Sequence, residues 1–100
     1  MHIIKEKDGD ILRVSLEGSM NYIDKDKFKD VAFAFSKNGI KKIELNVEKL
    51  DYMDSNSLGM FMVMHEDSLV NDGKIVIKNL NGKVDRLFRL SKLQNMFNIE

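Results

Sequence analysis

The chain has 100 residues, 43% of them hydrophobic and 32% charged, which suffices for one packed core, excludes a disordered chain and leaves no room for two domains. We therefore expect a single domain over residues 1–100. Because 16 Lys and Arg balance 16 Asp and Glu, no long-range field favours nucleic acid, and the absence of Cys excludes disulfides, thiolate metal sites and Cys nucleophiles.

A β-hairpin is predicted at the start of the chain. The runs His2–Lys7 and Ile11–Leu16 are strand-like, and the Asp8-Gly9-Asp10 segment between them contains the Asp-Gly step of a tight hairpin turn. The second run alternates apolar and polar residues, so one of its faces needs a cover. A helix over Asp24–Ser36 is predicted to supply it, with Lys37-Asn38-Gly39 as its stop.

The middle of the chain predicts a strand over Ile40–Leu50 and a helix over Ser55–Val70. The strand alternates, with Ile43, Leu45 and Val47 on the buried side. In the helix, one apolar stripe is predicted to face the core: Leu58, Phe61, Met62, His65 and Leu69. A second apolar row lies opposite it: Met60, Val63 and Met64. Either a neighbouring helix covers this row or it is a Met-rich contact surface.

The last third predicts an interior strand over Lys74–Lys78, a helix over Lys83–Leu90 and an edge strand over Met96–Ile99. The inward side of that helix is expected to carry Val84, Leu87, Phe88 and Leu90. The order is β-β-α-β-α-β-α-β, and strands joined through helices pair in parallel with right-handed crossovers. We therefore expect an α/β fold with a mixed β-sheet of four to five strands and α-helices packed on it.

No catalytic apparatus is visible in the sequence. It has no metal-site spacing, no phosphate-cradling Gly-rich loop and no nucleophile-elbow motif. His2 lies at the terminus, and His65 falls on the predicted core stripe, where we interpret it as a structural residue. No stretch has the apolar length of a signal peptide or of a membrane span. We expect a cytoplasmic protein that is not an enzyme, without metal, cofactor or membrane insertion.

The segment Leu50–Gly59 joins the end of a strand to the start of a helix and is rich in side chains that cap helices. Residues 54–57 read Asp-Ser-Asn-Ser, and each of these side chains can accept a hydrogen bond from a first-turn N–H group. By spacing alone, the segment predicts helix capping and nothing more.

Tyr52–Gly59 nevertheless resembles the Asp-Ser-Ser/Thr-Gly-Leu-Gly signature of bacterial anti-sigma-factor antagonists, the STAS family. Further similarities follow in the same order as in that family: Leu16-Glu17-Gly18, Ile43–Asn46 and Val84–Leu93. The resemblance implies the STAS fold, and it implies that the Ser directly after the Asp, here Ser55, is phosphorylated by an anti-sigma kinase.

The resemblance also implies partners: a GHKL-type anti-sigma or serine kinase and a PP2C-type phosphatase, with the chain itself a monomer or weak homodimer. Unmodified protein would bind its partner and the phosphorylated form would release it. The expected partner-binding residues are Asn21, Asp54, Asn56, Ser57, Met60 and Met64. An alternative is a constitutive STAS accessory subunit of a transport or signalling assembly, with no phosphate cycle.

Three positions depart from the family pattern. Asn56 stands where the family usually has Ser or Thr, Ser57 replaces the usual Gly, and Asn21 stands where an Asp is common. Ser57 restricts the backbone more than Gly does, and Asn21 removes a negative charge. We expect these changes to alter the choice of partner rather than the fold.

Overall fold

The computed structural model describes all residues from Met1 to Glu100. Its elements in chain order are β1 His2–Asp8, β2 Ile11–Met20, α1 Lys25–Ala32, α2 Ala34–Asn38, β3 Lys42–Asn46, β4 Leu50–Met53, α3 Ser55–Val70, β5 Lys74–Lys78, α4 Gly82–Leu90 and β6 Asn98–Ile99. Short 3₁₀ turns cover Tyr22–Asp24 and Leu93–Asn95. None of the helices combines the length and the apolar character needed to cross a membrane.

One mixed sheet organises the domain, with strand order β1-β2-β3-β5-β6. Only β1 and β2 pair antiparallel, with Asp8 opposite Ile11, and Gly9 in the turn has a φ of 63°, which a β-carbon would disfavour. The remaining pairs are parallel, as helical crossovers require. The predicted hairpin, the mixed α/β sheet and the interior place of β5 are confirmed.

The sheet has six strands rather than four to five, because the predicted strand Ile40–Leu50 is two strands. β3 ends at Asn46, and β4 begins at Leu50 and pairs in parallel with Gly18–Met20 of β2. That pairing also carries β2 four residues beyond the predicted end at Leu16, through an irregular register between Gly18 and Ser19. A short alternating pattern does not reveal such a long-range partner.

The helices cover one face of the sheet and enclose the core. On β3, Ile43 and Leu45 face the helices, and Val47 directly after it is also buried, as the alternation predicts. Three fully buried rings meet in the centre, with 5.5 Å between the centroids of Phe28 and Phe61 and 5.4 Å between those of Phe61 and Phe88. This cluster joins α1, α3 and α4 and fixes how they sit on the sheet.

Three helix and strand predictions need correction. The helix expected over Asp24–Ser36 begins at Lys25 and is interrupted at Phe33, so that it forms two helices, α1 and α2. Gly39, directly after α2, adopts a left-handed conformation that ends this helix. Leu90 was expected to face inward but is exposed, because α4 ends there. The edge strand expected over Met96–Ile99 is confirmed only over Asn98–Ile99.

The bounds predicted for α3 are confirmed, but the predicted core stripe is rotated. Phe61 is buried as expected, whereas Met62 and Leu69 are exposed. In their place Met60 and Met64 are buried, because α1 packs against that side of α3. The helix is apolar on most of its circumference, so hydrophobic periodicity alone could not select its inner side.

Candidate functional site

The start of α3 is held against the end of β2 by a small polar network. The backbone N–H of Asp54 donates to the carbonyl of Met20 at 3.1 Å. The Asp54 carboxylate then caps the helix, since its Oδ1 accepts from the Ser57 N–H at 2.9 Å. The Ser57 hydroxyl lies 2.7 Å from the same Oδ1 and 2.9 Å from the Met20 carbonyl. Capping by Asp54 is therefore confirmed.

The second oxygen of Asp54 joins the helix to the turn that follows β2. Oδ2 accepts from the backbone N–H of Tyr22 at 3.2 Å. One residue earlier, the N–H of Asn21 donates to the Asp24 carboxylate at 2.8 Å. Asn21, which the sequence placed at the site, thus lies in a turn that Asp54 fixes beside the start of α3.

The same hydrogen bonds keep Asp54 ionised. The Ser57 hydroxyl is the main cause that lowers the pKa of the Asp54 carboxyl, and the backbone N–H groups of Ser57, Tyr22 and Asn56 lower it further against the opposing effect of desolvation. At neutral pH a negative charge therefore stands directly before Ser55.

Ser55 occupies the first turn of α3 and is exposed, and its side chain makes no hydrogen bond within the chain. The first-turn N–H groups of a helix create a local positive potential that favours an anion. The hydroxyl is thus accessible from outside, in a position where the helix itself would tolerate a phosphate.

The remaining predicted contact residues divide into two groups. Asn56 is exposed beside Ser55 and can meet a partner. Ser57 and Met64 are fully buried, so the interpretation of these two side chains as partner contacts is wrong. Met60 is only 8% exposed but lines an open groove between α1 and α3, so its contact with a partner stays a prediction. Ser57 instead serves the capping network, and both methionines pack into the core.

Sequence reasoning missed exposed apolar residues close to the site. Tyr22 and Ile23, in the turn that Asp54 holds, are 60% and 86% exposed. An open groove of about 570 Å³ runs between α1 and α3, and its lining includes Tyr22, Phe33 and Val63. The sequence did contain a signal for this exposed turn: two adjacent apolar residues lie in a short loop, outside every predicted strand and helix.

The two histidines do not contribute to this site. His65 packs its ring against Phe97 with 5.6 Å between the centroids, which confirms its structural role, and His2 lies on β1. No group of three His, Cys, Asp or Glu side chains is arranged to hold a metal ion.

Comparison with known proteins agrees with the fold. The family model described as "STAS domain" matches residues 2–100. The anti-sigma-B factor antagonist of Staphylococcus aureus (strain NCTC 8325 / PS 47) is 24% identical over 86 residues, which cover 86% of this chain and 80% of that protein.

Solved structures give the same fold at lower identity. The unphosphorylated anti-sigma factor antagonist SpoIIAA superposes with a TM-score of 0.79 at 15% identity, covering 99% of this chain and 87% of that one. The phosphorylated form of the Bacillus cell fate determinant SpoIIAA gives 0.78 at 17% identity, covering 99% and 91%. This fold therefore matches both states equally well.

Proposed function

Because this chain belongs to the STAS domain family, we propose that it is a protein-binding switch that holds a partner while Ser55 is unmodified and releases it when Ser55 is phosphorylated. The observation that carries the proposal is the contrast at the start of α3. Asp54 and Ser57 are engaged in the capping network, whereas Ser55 is exposed and its hydroxyl is unused. A kinase could therefore modify Ser55 without breaking an internal hydrogen bond.

A phosphate on Ser55 acts on the complex rather than on the fold. It adds about −1.5 to −2 charges and three acceptor oxygens where helix N–H groups favour an anion. The equal match to unphosphorylated and phosphorylated SpoIIAA supports this tolerance. A partner surface packed on Ser55, by contrast, would have to desolvate a dianion next to the Asp54 carboxylate. A cost of about 3 kcal/mol weakens binding more than a hundredfold.

The family relatives indicate the kind of partner. The similar protein of Staphylococcus aureus is named as an antagonist of an anti-sigma-B factor. By extension, the partner of this chain is an anti-sigma factor or a related serine kinase of the GHKL type, and a PP2C-type phosphatase removes the phosphate. The contact surface includes Ser55, Asn56 and the turn that contains Asn21 and Tyr22.

Affinity capture from a lysate of the source organism tests the proposal. Wild type, Ser55→Ala and Ser55→Asp serve as baits, and mass spectrometry identifies the proteins retained. Wild type and Ser55→Ala should retain the same partner, and Ser55→Asp should bind it at least about tenfold more weakly in titration calorimetry, since the new carboxylate must be desolvated. Enzymatic phosphorylation should weaken binding further, because phosphate carries more charge and is longer than Asp.

Thermal melts supply the control for this experiment. A carboxylate at the helix N-terminus agrees with the helix dipole, so Ser55→Asp should melt within a few degrees of wild type. Loss of binding without loss of stability then locates the effect in the interface. Equal affinities of wild type, Ser55→Asp and the phosphorylated protein would refute the switch and favour a constitutive accessory subunit.

A further inference from the structure

The groove between α1 and α3 contains a glycine that the fold itself does not need. Gly59 lies in the fifth position of the 16-residue helix α3, where glycine is the least favourable residue after proline. A β-carbon built on it meets no atom within 4 Å, and its φ is not in the left-handed region. Neither internal packing nor backbone conformation therefore requires glycine here. A missing side chain does, however, allow the backbone of another element to approach closely.

The surface around Gly59 is apolar and open. The 38% exposed Val63 lies one turn further along α3, while Phe33 and Tyr22 line the side of α1 and its preceding turn. The α3 side of the groove, from Asn56 to Val63, is about 10 Å long at 1.5 Å per residue. This length matches about two turns of another helix, at about 5.4 Å per turn.

Both walls of the groove are helices, and this decides the shape of the occupant. Backbone N–H and C=O groups within a helix already bond to each other, so the groove offers no free edge to which an extended strand could add. A helix brings its own backbone hydrogen bonds and needs only side-chain contacts. Packing across Gly59 would let such a helix approach α3 closely.

The charges along the groove are unequal on its two sides. No charged residue lies on α3 from Ser55 to Met64, whereas α1 contributes Lys25, Asp26 and Lys29. Lys25 and Lys29 are exposed, stand four residues apart on one side of α1 and make no ion pair within the chain. Carboxylates at the same spacing on a facing helix would meet both cations.

From these features we infer that the α1–α3 groove docks an amphipathic helix of the partner protein, with an apolar stripe over Gly59 and Val63 and carboxylates facing Lys25 and Lys29. The inference rests on the proposed function, because the groove starts at Asn56 beside Ser55 and the helix belongs to the same partner. The docked helix supplies affinity, and the state of Ser55 decides whether it is retained.

A displayed library of helical peptides tests the groove without the native partner. A phage library of short amphipathic helices, with random residues on one face, is selected on the unmodified wild-type protein. Affinities of the enriched synthetic peptides are then measured by fluorescence polarisation. We expect enriched peptides to combine an apolar stripe with Glu or Asp at a spacing of four residues.

Matched variants locate the binding site. Gly59→Leu fills the groove and should weaken binding about tenfold or more, whereas Gly59→Ala adds a single carbon and should weaken it much less. Lys25→Glu combined with Lys29→Glu should produce a similar loss, while Lys83→Glu combined with Arg86→Glu makes the same charge change on α4 and should leave affinity unchanged. Val63→Glu offers a second route should Gly59→Leu fail to fold.

Four outcomes would overturn the inference. In the peptide experiments these are no enrichment, enrichment of basic peptides, and peptides that bind the Gly59→Leu variant as tightly as they bind wild type. The fourth is a wild-type dimer in analytical ultracentrifugation that the Gly59→Leu substitution dissociates. The last would identify the occupant as a second copy of this chain. The selection does not depend on phosphorylation of Ser55. Its failure would therefore refute helix docking in the groove and leave the proposed switch untouched. If the selected peptides bind the groove but the captured partner binds wild type, Ser55→Asp and phosphorylated protein equally well, only the switch is refuted.

Discussion

Replacing Met64 by Ala separates a core role of this residue from a surface role. Met64 is fully buried where α1 packs on α3, so its truncation leaves a cavity as well as removing apolar contact. Met→Ala at such sites costs about 2–5 kcal/mol. A domain of this size has a total stability of about 5–15 kcal/mol, and each kcal/mol shifts its Tm by about 4–8 °C. We therefore expect the Tm to fall by roughly 10–40 °C.

The same helix provides the control. Met62 lies two residues away and is 45% exposed, so Met62→Ala should change the free energy of unfolding by no more than about 0.5 kcal/mol. Urea unfolding followed by circular dichroism measures both variants against wild type. If Met62→Ala destabilised the domain as much as Met64→Ala, the assignment of Met64 to the buried side of α3 and of Met62 to the exposed side would be wrong.

Three further predictions concern the site and the packing around it. Incubation with the cognate kinase and ATP should place one phosphate on Ser55, and phosphopeptide mapping to the buried Ser57 would contradict the assignment. Because the pKa of Asp54 is lower in the folded state than in the unfolded state, its stabilising contribution is present above about pH 4 and is lost as the pH falls through the folded pKa. The stability gap between wild type and Asp54→Asn in urea titrations should narrow from pH 7 to pH 3, and a constant gap would exclude this linkage. Gly73→Ala should destabilise the domain, because the new carbon would overlap the Phe35 ring. Gly59→Ala meets open space and should raise the free energy of unfolding by up to about 1 kcal/mol. Thermal melts in which Gly73→Ala is the more stable variant would contradict this packing.

Local sequence patterns predicted the elements whose causes are local. The Asp-Gly turn specified the hairpin of β1 and β2, and Asp54 together with the segment after Val70 bounded α3 at both ends. Alternation on β3 identified its buried side. Each of these features depends on residues within a few positions of one another, and hydrogen bonds or apolar burial within that range suffice to form it.

Patterns failed where a distant partner decides the outcome. Nothing near Leu50 indicates that β4 pairs with Gly18–Met20, so the sequence predicted one long strand and ended β2 too early. Likewise the turn at Tyr22 and Ile23 owes its place beside α3 to an Asp54 hydrogen bond that spans 32 residues. Such contacts depend on how the chain folds back on itself.

At the site itself, the sequence determined that a Ser-rich segment caps a helix, and family resemblance selected Ser55 within it. Ser55 and Ser57 are about 200° apart around α3, so they face nearly opposite directions. Only the tertiary structure decided which direction is outward, because α3 is apolar around most of its surface and its own residues do not favour one side. Packing of α1 over Met60 and Met64, with the anchor between Asp54 and Met20, turns Ser57 into the core and leaves Ser55 in solvent.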